Sequence, residues 1–449
     1  MVLVGAALPG EDHGGEGPLD ELERLAETAG ALVVARLTQN LRQINPRTYV
    51  GEGKAEEIRD TCVALDADAV VCDHDLSPAQ IRNLERITDS KVLDRSELIL
   101  DIFATRAKTR QAKVQVELAQ LEYTLPRLTR MWSHLDRHGG GIGTRGPGER
   151  QIESDRRVID RRMRDMRREL QAIAGRKQRE VTARRDEFKV CLVGYTNAGK
   201  STLLNALTAA DTFVEDRLFA TLDTKTRVWQ LDPSHRALLS DTVGFIRRLP
   251  HYLVASFHAT LEEANEADLL LHVIDISHPD CFHQAEIVRQ VLGEIGCGEH
   301  PVLHVLNKCD VARPSPEADL LAATLAGRIA GNPHSLRVSA LRGDGLDDLT
   351  RHVLDVAVRR QVRVTVRAHC GNGRLLAWVH EFAEVLATAW DDAGVTIEAR
   401  LEPRHLPALR AAVGPSDSIV VHGQPDPSPD RSPARGTPGA RAPESGTRS

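Results

Sequence analysis

Along most of the chain, short apolar runs alternate with stretches in which apolar residues recur every three or four positions, the pattern of strands alternating with amphipathic helices. LDELERLAETAG reads as a helix, ALVVARLTQ, ADAVVCD and KVLDR as strands, and NPRTYVGEGKAEEIRDTCVALD as a loop followed by a helix, with GEGK around Lys54 taken as a turn. LSPAQIRNLERITD is a helix opened by a Ser77 cap with Pro78 at its first position. Such alternation implies a small parallel sheet. From about Ser96 to Leu135 the pattern is continuously helical, with Leu118, Leu121, Leu125 and Leu128 in line and an interruption at Pro126. A Gly-rich stretch carrying Arg137, Arg145 and Arg150 follows, then a second long helix from roughly Glu153 to Asp186 with Val158, Ile159, Met163, Met166, Leu170 and Ile173 as its apolar seam. Two long helices around a flexible loop suggest an antiparallel hairpin.

Beyond the hairpin, FKVCLVG, ALLSDTVGF, ADLLLHVIDISHP and VLHVLNKCD read as buried strands between helices, which predicts a doubly wound, mostly parallel sheet. QVRVTVRAHC and GVTIEARL are strands of a further α/β unit, in which LLAWVHEFAEVLATAW reads as one amphipathic helix and PRHLPALRAAV as a short one. The expected organisation is a disordered segment at 1–20, an α/β domain at 21–100, the helical hairpin with its basic loop at 101–187, the doubly wound domain at 188–360, a small C-terminal α/β domain at 361–424, and a disordered tail at 425–449.

Composition narrows the class. The chain has 449 residues, 41% hydrophobic and 27% charged, and no window approaches the roughly 18 consecutive apolar residues of a membrane helix. No basic region precedes the first apolar run, which argues against a signal peptide, and the seven cysteines include no C-x-x-C pair. Both features favour a reducing cytoplasm. His278, Cys281, His283, Cys297 and His300 match no zinc spacing. The net charge of −6 hides an asymmetry, since 15 Lys/Arg stand against 9 Asp/Glu between Arg145 and Lys189. That run is either a solvated face or a polyanion contact, and its concentration on one element beside a Gly/Arg loop favours the second. Aromatic residues make up only 4% of the chain, too few for a base-stacking platform.

The candidate chemistry lies where FKVCLVG runs into Gly194-Tyr195-Thr196-Asn197-Ala198-Gly199-Lys200-Ser201. This G-x-x-x-x-G-K-S pattern between strand and helix is a phosphate loop: backbone N–H groups face a diphosphate, Lys200 neutralises charge, and the Ser201 hydroxyl can ligate Mg²⁺. Asn197 offers either a monovalent-cation ligand or a plain loop amide. Further boxes follow in order. Phe219-Ala220-Thr221-Leu222-Asp223 lies in a polar loop where Thr221 can reach Mg²⁺ and the γ-phosphate. Asp241-Thr242-Val243-Gly244 puts a carboxylate and a glycine N–H beyond a strand end. Asn307-Lys308-Cys309-Asp310 supplies a carboxylate that accepts from guanine N1–H and N2–H₂, a donor pair adenine lacks. Ser339-Ala340-Leu341 can present backbone to guanine O6. The 188–360 domain therefore reads as a P-loop GTPase. Phe245 stands where Ras-like enzymes carry the Gln that orients the attacking water, which implies slow hydrolysis by the isolated protein.

The motifs extend beyond these boxes. NPRTYVGEGKAEEI, LSPAQIRNLE, VLDRSELILDIFATRAKTRQAKVQVELAQLEYTLPRL, GGGIGTRGPGERQIESDRR, GYTNAGKSTLLNALT, FATLDTKTR and LSDTVGFIRRLPHYLVASFHATLEEA together closely resemble the HflX GTPases, a translation-factor-related family, over roughly Val33 to Val421. The resemblance implies a cytoplasmic, monomeric, ribosome-associated GTPase that binds the large subunit and splits stalled or stressed ribosomes. Its N-terminal domain and basic hairpin would contact ribosomal RNA, and Ser201 and Thr221 would be the Mg²⁺ ligands. An apolar residue at the Phe245 position is a family trait. Thr224 departs from the proline common in the family at that point. Two other readings stay open, a GTP-gated assembly or dormancy factor and an ATP-driven RNA-remodelling protein, although residues 1–150 hold no second phosphate-binding motif.

Overall fold

The computed structural model describes residues 1–10, 17–131, 147–183, 187–208, 218–219, 224–248, 263–311, 335–369, 372–391, 394–401 and 405–422. They form two compact units, Met1–Arg351 and His352–Ser449.

In the first unit, strands β1 (Val2–Ala7), β2 (Ala35–Asn40), β3 (Ala69–Cys72) and β4 (Lys91–Asp94) make a parallel sheet in the order β2-β1-β3-β4. Helices α1 (Asp20–Thr28), α2 (Glu52–Ala64) and α3 (Pro78–Thr88) connect them. Two expectations are corrected here. Residues 2–7 are a buried strand paired on both sides rather than disordered chain. The run VLVGAA is short and lies next to a Gly-rich acidic stretch, and only its two neighbours complete its ladder; residues 11–16 lie outside the described set. GEGK is the first turn of α2, with Gly51 at its N-cap, and not an isolated turn. The Ser77 cap is present as a full capping box with Gln80.

Helix α4 (Arg95–Arg106) and helix α5 (Arg110–Met131) divide the long helical stretch at Ala107–Thr109, and α5 continues through Pro126 rather than breaking there. Helix α6 (Pro147–Ala183) begins earlier than its apolar seam suggests, because Pro147 suits a first turn. Arg150 therefore lies in a helix and not in the loop, whereas Arg137 and Arg145 lie outside the described residues. Helices α5 and α6 pack through Val114, Leu118, Leu121, Leu125, Ile159, Met163, Met166 and Leu170. Ion pairs Arg110–Glu169, Arg162–Glu117 and Arg167–Glu122 join them.

The P-loop GTPase fold follows. Strands β5 (Phe188–Gly194), β6 (Lys225–Gln230), β7 (Arg236–Asp241), β8 (Leu269–Asp275), β9 (Val302–Asn307) and β10 (Ser335–Arg337) form a sheet in the order β10-β9-β8-β5-β7-β6. Only β6 pairs antiparallel. Helices α7 (Lys200–Thr208) and α8 (Cys281–Glu294) belong to this fold, and helix α9 (Leu346–Arg359) contains the division between the two units. One apolar core runs from α1, α4 and α5 into the GTPase sheet, joining Leu22, Phe103 and Val116 to Cys191, Phe219, Phe245 and Ile246.

The second unit is a four-stranded antiparallel sheet, β12-β13-β11-β14, built from β11 (Val362–Ala368), β12 (Glu384–Asp391), β13 (Gly394–Leu401) and β14 (Ser418–His422), with helices α10 (Gly373–Phe382) and α11 (Leu406–Ala412). The segment read as one helix, LLAWVHEFAEVLATAW, changes at Ala383 from helix to edge strand. Its second half satisfies both periods, and pairing with β13 decides between them. The C-terminal tail lies outside the described residues, among which no helix is long and apolar enough to cross a membrane.

Candidate nucleotide site

The phosphate loop, the Asp241–Gly244 box, the Asn307–Asp310 box and the Ser339–Leu341 box lie at the carboxyl ends of β5, β7, β9 and β10. Asn197 (φ 61°) and Gly199 (φ 92°) both take left-handed backbone in the turn between β5 and α7. A Cβ on Gly199 would lie 2.3 Å from Asn307 Nδ2. The Lys200 ammonium is buried and donates to the carbonyls of Gly194 (3.1 Å) and Tyr195 (2.8 Å). Burial pushes its pKa down to about 8, against the opposing pull of Asp241. This ammonium can trade two backbone carbonyls for phosphate oxygens.

Ser201 Oγ donates to Asp241 Oδ2 at 2.6 Å, and Asp241 is fully buried at the end of β7. The Thr242 hydroxyl is committed to the Leu192 carbonyl at 2.7 Å. Gly244 fits because a Cβ there would meet Thr196 Cα at 2.7 Å and Lys200 Nζ at 2.9 Å. The chain then closes onto the phosphate loop, since Phe245 N–H donates to the Gly194 carbonyl (3.1 Å) and Thr196 N–H to the Phe245 carbonyl (2.8 Å). The Phe245 ring, like Val243, is in the core. Phe219 holds a left-handed backbone (φ 54°), unusual for a bulky residue, and packs edge-on against Phe103 with ring centroids 4.6 Å apart. Ala220, Thr221, Leu222 and Asp223 lie outside the described residues.

On the other side, Asn307 ties three loops together. Its Nδ2 donates to the Ala198 carbonyl (2.9 Å) and its Oδ1 accepts from Ala340 N–H (3.0 Å). Lys308, also left-handed (φ 61°), pairs with Asp275 at 2.7 Å. Cys309 N–H donates to the Val338 carbonyl. Asp310 Oδ1 accepts from Ser339 Oγ (2.8 Å), and Arg342 stands 3.7 Å from its other oxygen. Leu341 is 81% exposed, an apolar side chain held in water.

Sequence reasoning missed a buried charge cluster under the phosphate loop. Glu21 of α1 accepts from the Tyr195 hydroxyl and pairs with Arg95 and with Arg247 (3.3 Å). Asp73 pairs with Arg95 (2.7 Å) and Arg248 (3.3 Å). Burial opposes ionisation of Glu21, but Arg95, Arg247 and the phenol hold its carboxyl below the ordinary value. One signal was available: Glu21 shares the buried face of α1 with Leu22 and Leu25, a place for a carboxylate only if it is paired.

Residues 16–104 match the family described as GTP-binding GTPase N-terminal, residues 106–185 its middle region, and residues 189–308 the family described as 50S ribosome-binding GTPase. The chain is 44% identical over 406 residues to the GTPase HflX of Lacrimispora saccharolytica, covering 89% of this chain and 92% of that one. It is 41% identical over 389 residues to the GTPase HflX of Escherichia coli K12, covering 85% and 89%. Among solved structures it is similar to a GDP complex of SsGBP, with 26% identity, a TM-score of 0.47, and 80% and 98% of the two chains covered. On the strength of the near full-length sequence matches, the chain belongs to the HflX family of GTPases and hydrolyses GTP.

Proposed function

We propose that this GTPase docks on RNA of the large ribosomal subunit and splits stalled or stressed ribosomes, with GTP hydrolysis resetting it for release. The observation that carries the reading is on α6. Arg157, Arg161, Arg164 and Arg168 are exposed and recur at spacings of four, three and four, one stripe on the side away from Met163 and Met166. Arg162 and Arg167 pair with glutamates of α5, and within the stripe Arg168 stands 3.6 Å from Asp165 of its own helix. A stripe about 16 Å long, at 1.5 Å rise per residue, suits a phosphate backbone. The name of the family matched by residues 189–308 supports the same partner.

At the nucleotide, the backbone N–H groups from Asn197 to Ser201 and the Lys200 ammonium would take the phosphates, Gly244 N–H would face the γ-phosphate, and Asp310 with Ala340 and Leu341 would read guanine, while the Thr196 N–H stays with the Phe245 carbonyl. The hard oxygens gathered here fit Mg²⁺: Ser201 and Thr221 would hold the ion, and Asp241, whose Oδ2 accepts from Ser201 Oγ at 2.6 Å, would reach it through water. When bound, that ion would supply positive charge against the charge that develops on the phosphates. Phe245 supplies no polar group to the attacking water, so turnover of the isolated protein is slow.

Sedimentation of 70S particles with the protein and a non-hydrolysable GTP analogue tests this. Dissociation into subunits is expected; binding to free large subunits with 70S particles left intact would sink the splitting role.

A further inference from the structure

The corner where the γ-phosphate would sit contains one hydroxyl whose role the family reading leaves open. Thr196 is 6% exposed, and its Oγ1 is buried with no hydrogen-bond partner among the described residues. Its position is tightly held. Its N–H is bound to the Phe245 carbonyl, and its Cα and Cγ2 lie 2.7 and 2.9 Å from where a Cβ of Gly244 would stand, with Lys200 Nζ at 2.9 Å from the same point. The hydroxyl shares its carbon with that methyl. It therefore stands one bond from the Cβ whose methyl faces Gly244, the residue that also approaches the Lys200 ammonium.

The neighbouring hydroxyls are committed elsewhere, that of Thr242 to the Leu192 carbonyl and that of Ser201 to Asp241. A buried hydroxyl without a partner is unfavourable unless a ligand completes it. The ligand chemistry at this corner is a phosphate oxygen and the water that attacks it, and a hydroxyl donates one hydrogen bond while accepting others.

We propose that Thr196 is the residue that orients the attacking water in place of the glutamine that Phe245 replaces. Its Oγ1 accepts a hydrogen bond from the water and donates its own to a γ-phosphate oxygen. The water oxygen then bonds to the γ-phosphorus as the bond from that phosphorus to the β–γ bridging oxygen breaks. The electron pair leaves with GDP, and the proton lost by the water ends on the released phosphate. Thr196 stays protonated throughout, because an aliphatic hydroxyl is too weak an acid to act as the base. The assignment rests on GTP hydrolysis alone and is independent of the ribosomal partner.

The experiment compares single-turnover GTP hydrolysis and GDP affinity in the full chain and in Thr196→Val, Thr196→Ser and Thr196→Ala. Valine keeps the shape and removes the hydroxyl, whereas serine keeps the hydroxyl and removes the methyl. Expected are a loss of rate on the order of tenfold or more in the valine and alanine variants and near-normal hydrolysis in the serine variant. GDP affinity should stay within about threefold of the parent in all three. Wild-type hydrolysis by Thr196→Val would overturn the assignment. So would a loss of rate in Thr196→Ser as deep as in Thr196→Val, or a parallel loss of GDP affinity, either of which would make the side chain a packing element.

Discussion

The phenol of Tyr195, in the phosphate loop, donates a hydrogen bond to the carboxylate of Glu21, on the first helix of the N-terminal domain. The same carboxylate balances Arg95 and Arg247, and Arg95 is 3% exposed. Glu21→Ala strands a buried guanidinium with Asp73 as its remaining carboxylate. A loss of about 3–5 kcal/mol in urea unfolding is expected. Tyr195→Phe removes the donor to Glu21 and the acceptor of the Arg247 N–H (2.8 Å), and should cost about 1–2 kcal/mol. Equal effects of the two substitutions would show that the charges contribute little.

Lys200 makes nucleotide affinity pH-dependent. In the ligand-free loop its pKa is depressed to about 8 from an ordinary 10.5, because burial disfavours the ammonium. Phosphate oxygens raise it again, so above pH 8 binding must take up a proton. GDP affinity should be flat below pH 8 and fall by up to about tenfold per pH unit above it. Stability of the ligand-free protein runs the other way. The unfolded chain keeps the proton between pH 8 and 10.5, so stability is greatest above 10.5 and declines as pH falls through 8. Lys200→Met should abolish GDP binding without lowering the melting temperature of the ligand-free protein. Calorimetry at pH 7, 8 and 9 reads the linkage directly.

Arginines of α6 divide by what they face. Reversing Arg157, Arg161, Arg164 and Arg168 to Glu should weaken large-subunit binding and flatten its dependence on salt, since roughly 0.7–0.9 counterions are released per phosphate contact. GDP affinity should not change. Arg162→Ala and Arg167→Ala remove exposed ion pairs and should each cost only about 0.2–1 kcal/mol of stability. Co-sedimentation across a salt series separates the two sets.

Base choice rests on Asp310. Its carboxylate, held by Ser339 at 2.8 Å, would accept from two guanine donors. Asp310→Asn presents a donor in their place, so preference should move from GTP toward xanthosine triphosphate, by on the order of a hundredfold or more in the affinity ratio. Unchanged use of GTP would remove this carboxylate from recognition.

Legibility followed from how local each feature is. The phosphate loop, DTVG and NKCD each combine a strand, a turn and a side chain within about ten residues, and the structure brings them to one end of the sheet. Ser77 and Pro78 likewise reported their own helix. What the pattern could not show depends on partners far along the chain. The strand at Val2–Ala7 gains its ladder from residues 35–40 and 70–72. The helix-to-strand change at Ala383 is decided by pairing with residues 394–401. Glu21 is one of three acidic residues in the first turn of α1, and its partners Arg95, Tyr195 and Arg247 lie far along the chain. Part of the positive surplus on α6 belongs to the hairpin itself, a distinction visible only once the glutamates of α5 stand opposite.

The apolar core that passes from Leu22 and Phe103 through Phe219 to Phe245 has a consequence for how the molecule comes apart. Neither side of that core is complete alone, since separation would put Phe103, Phe219, Phe245 and Ile246 into water together. Residues 1–351 should therefore open as one cooperative unit, with a single calorimetric transition. The slowest-exchanging amides of β1 and β5 should then share one opening free energy, although the two strands belong to different sheets.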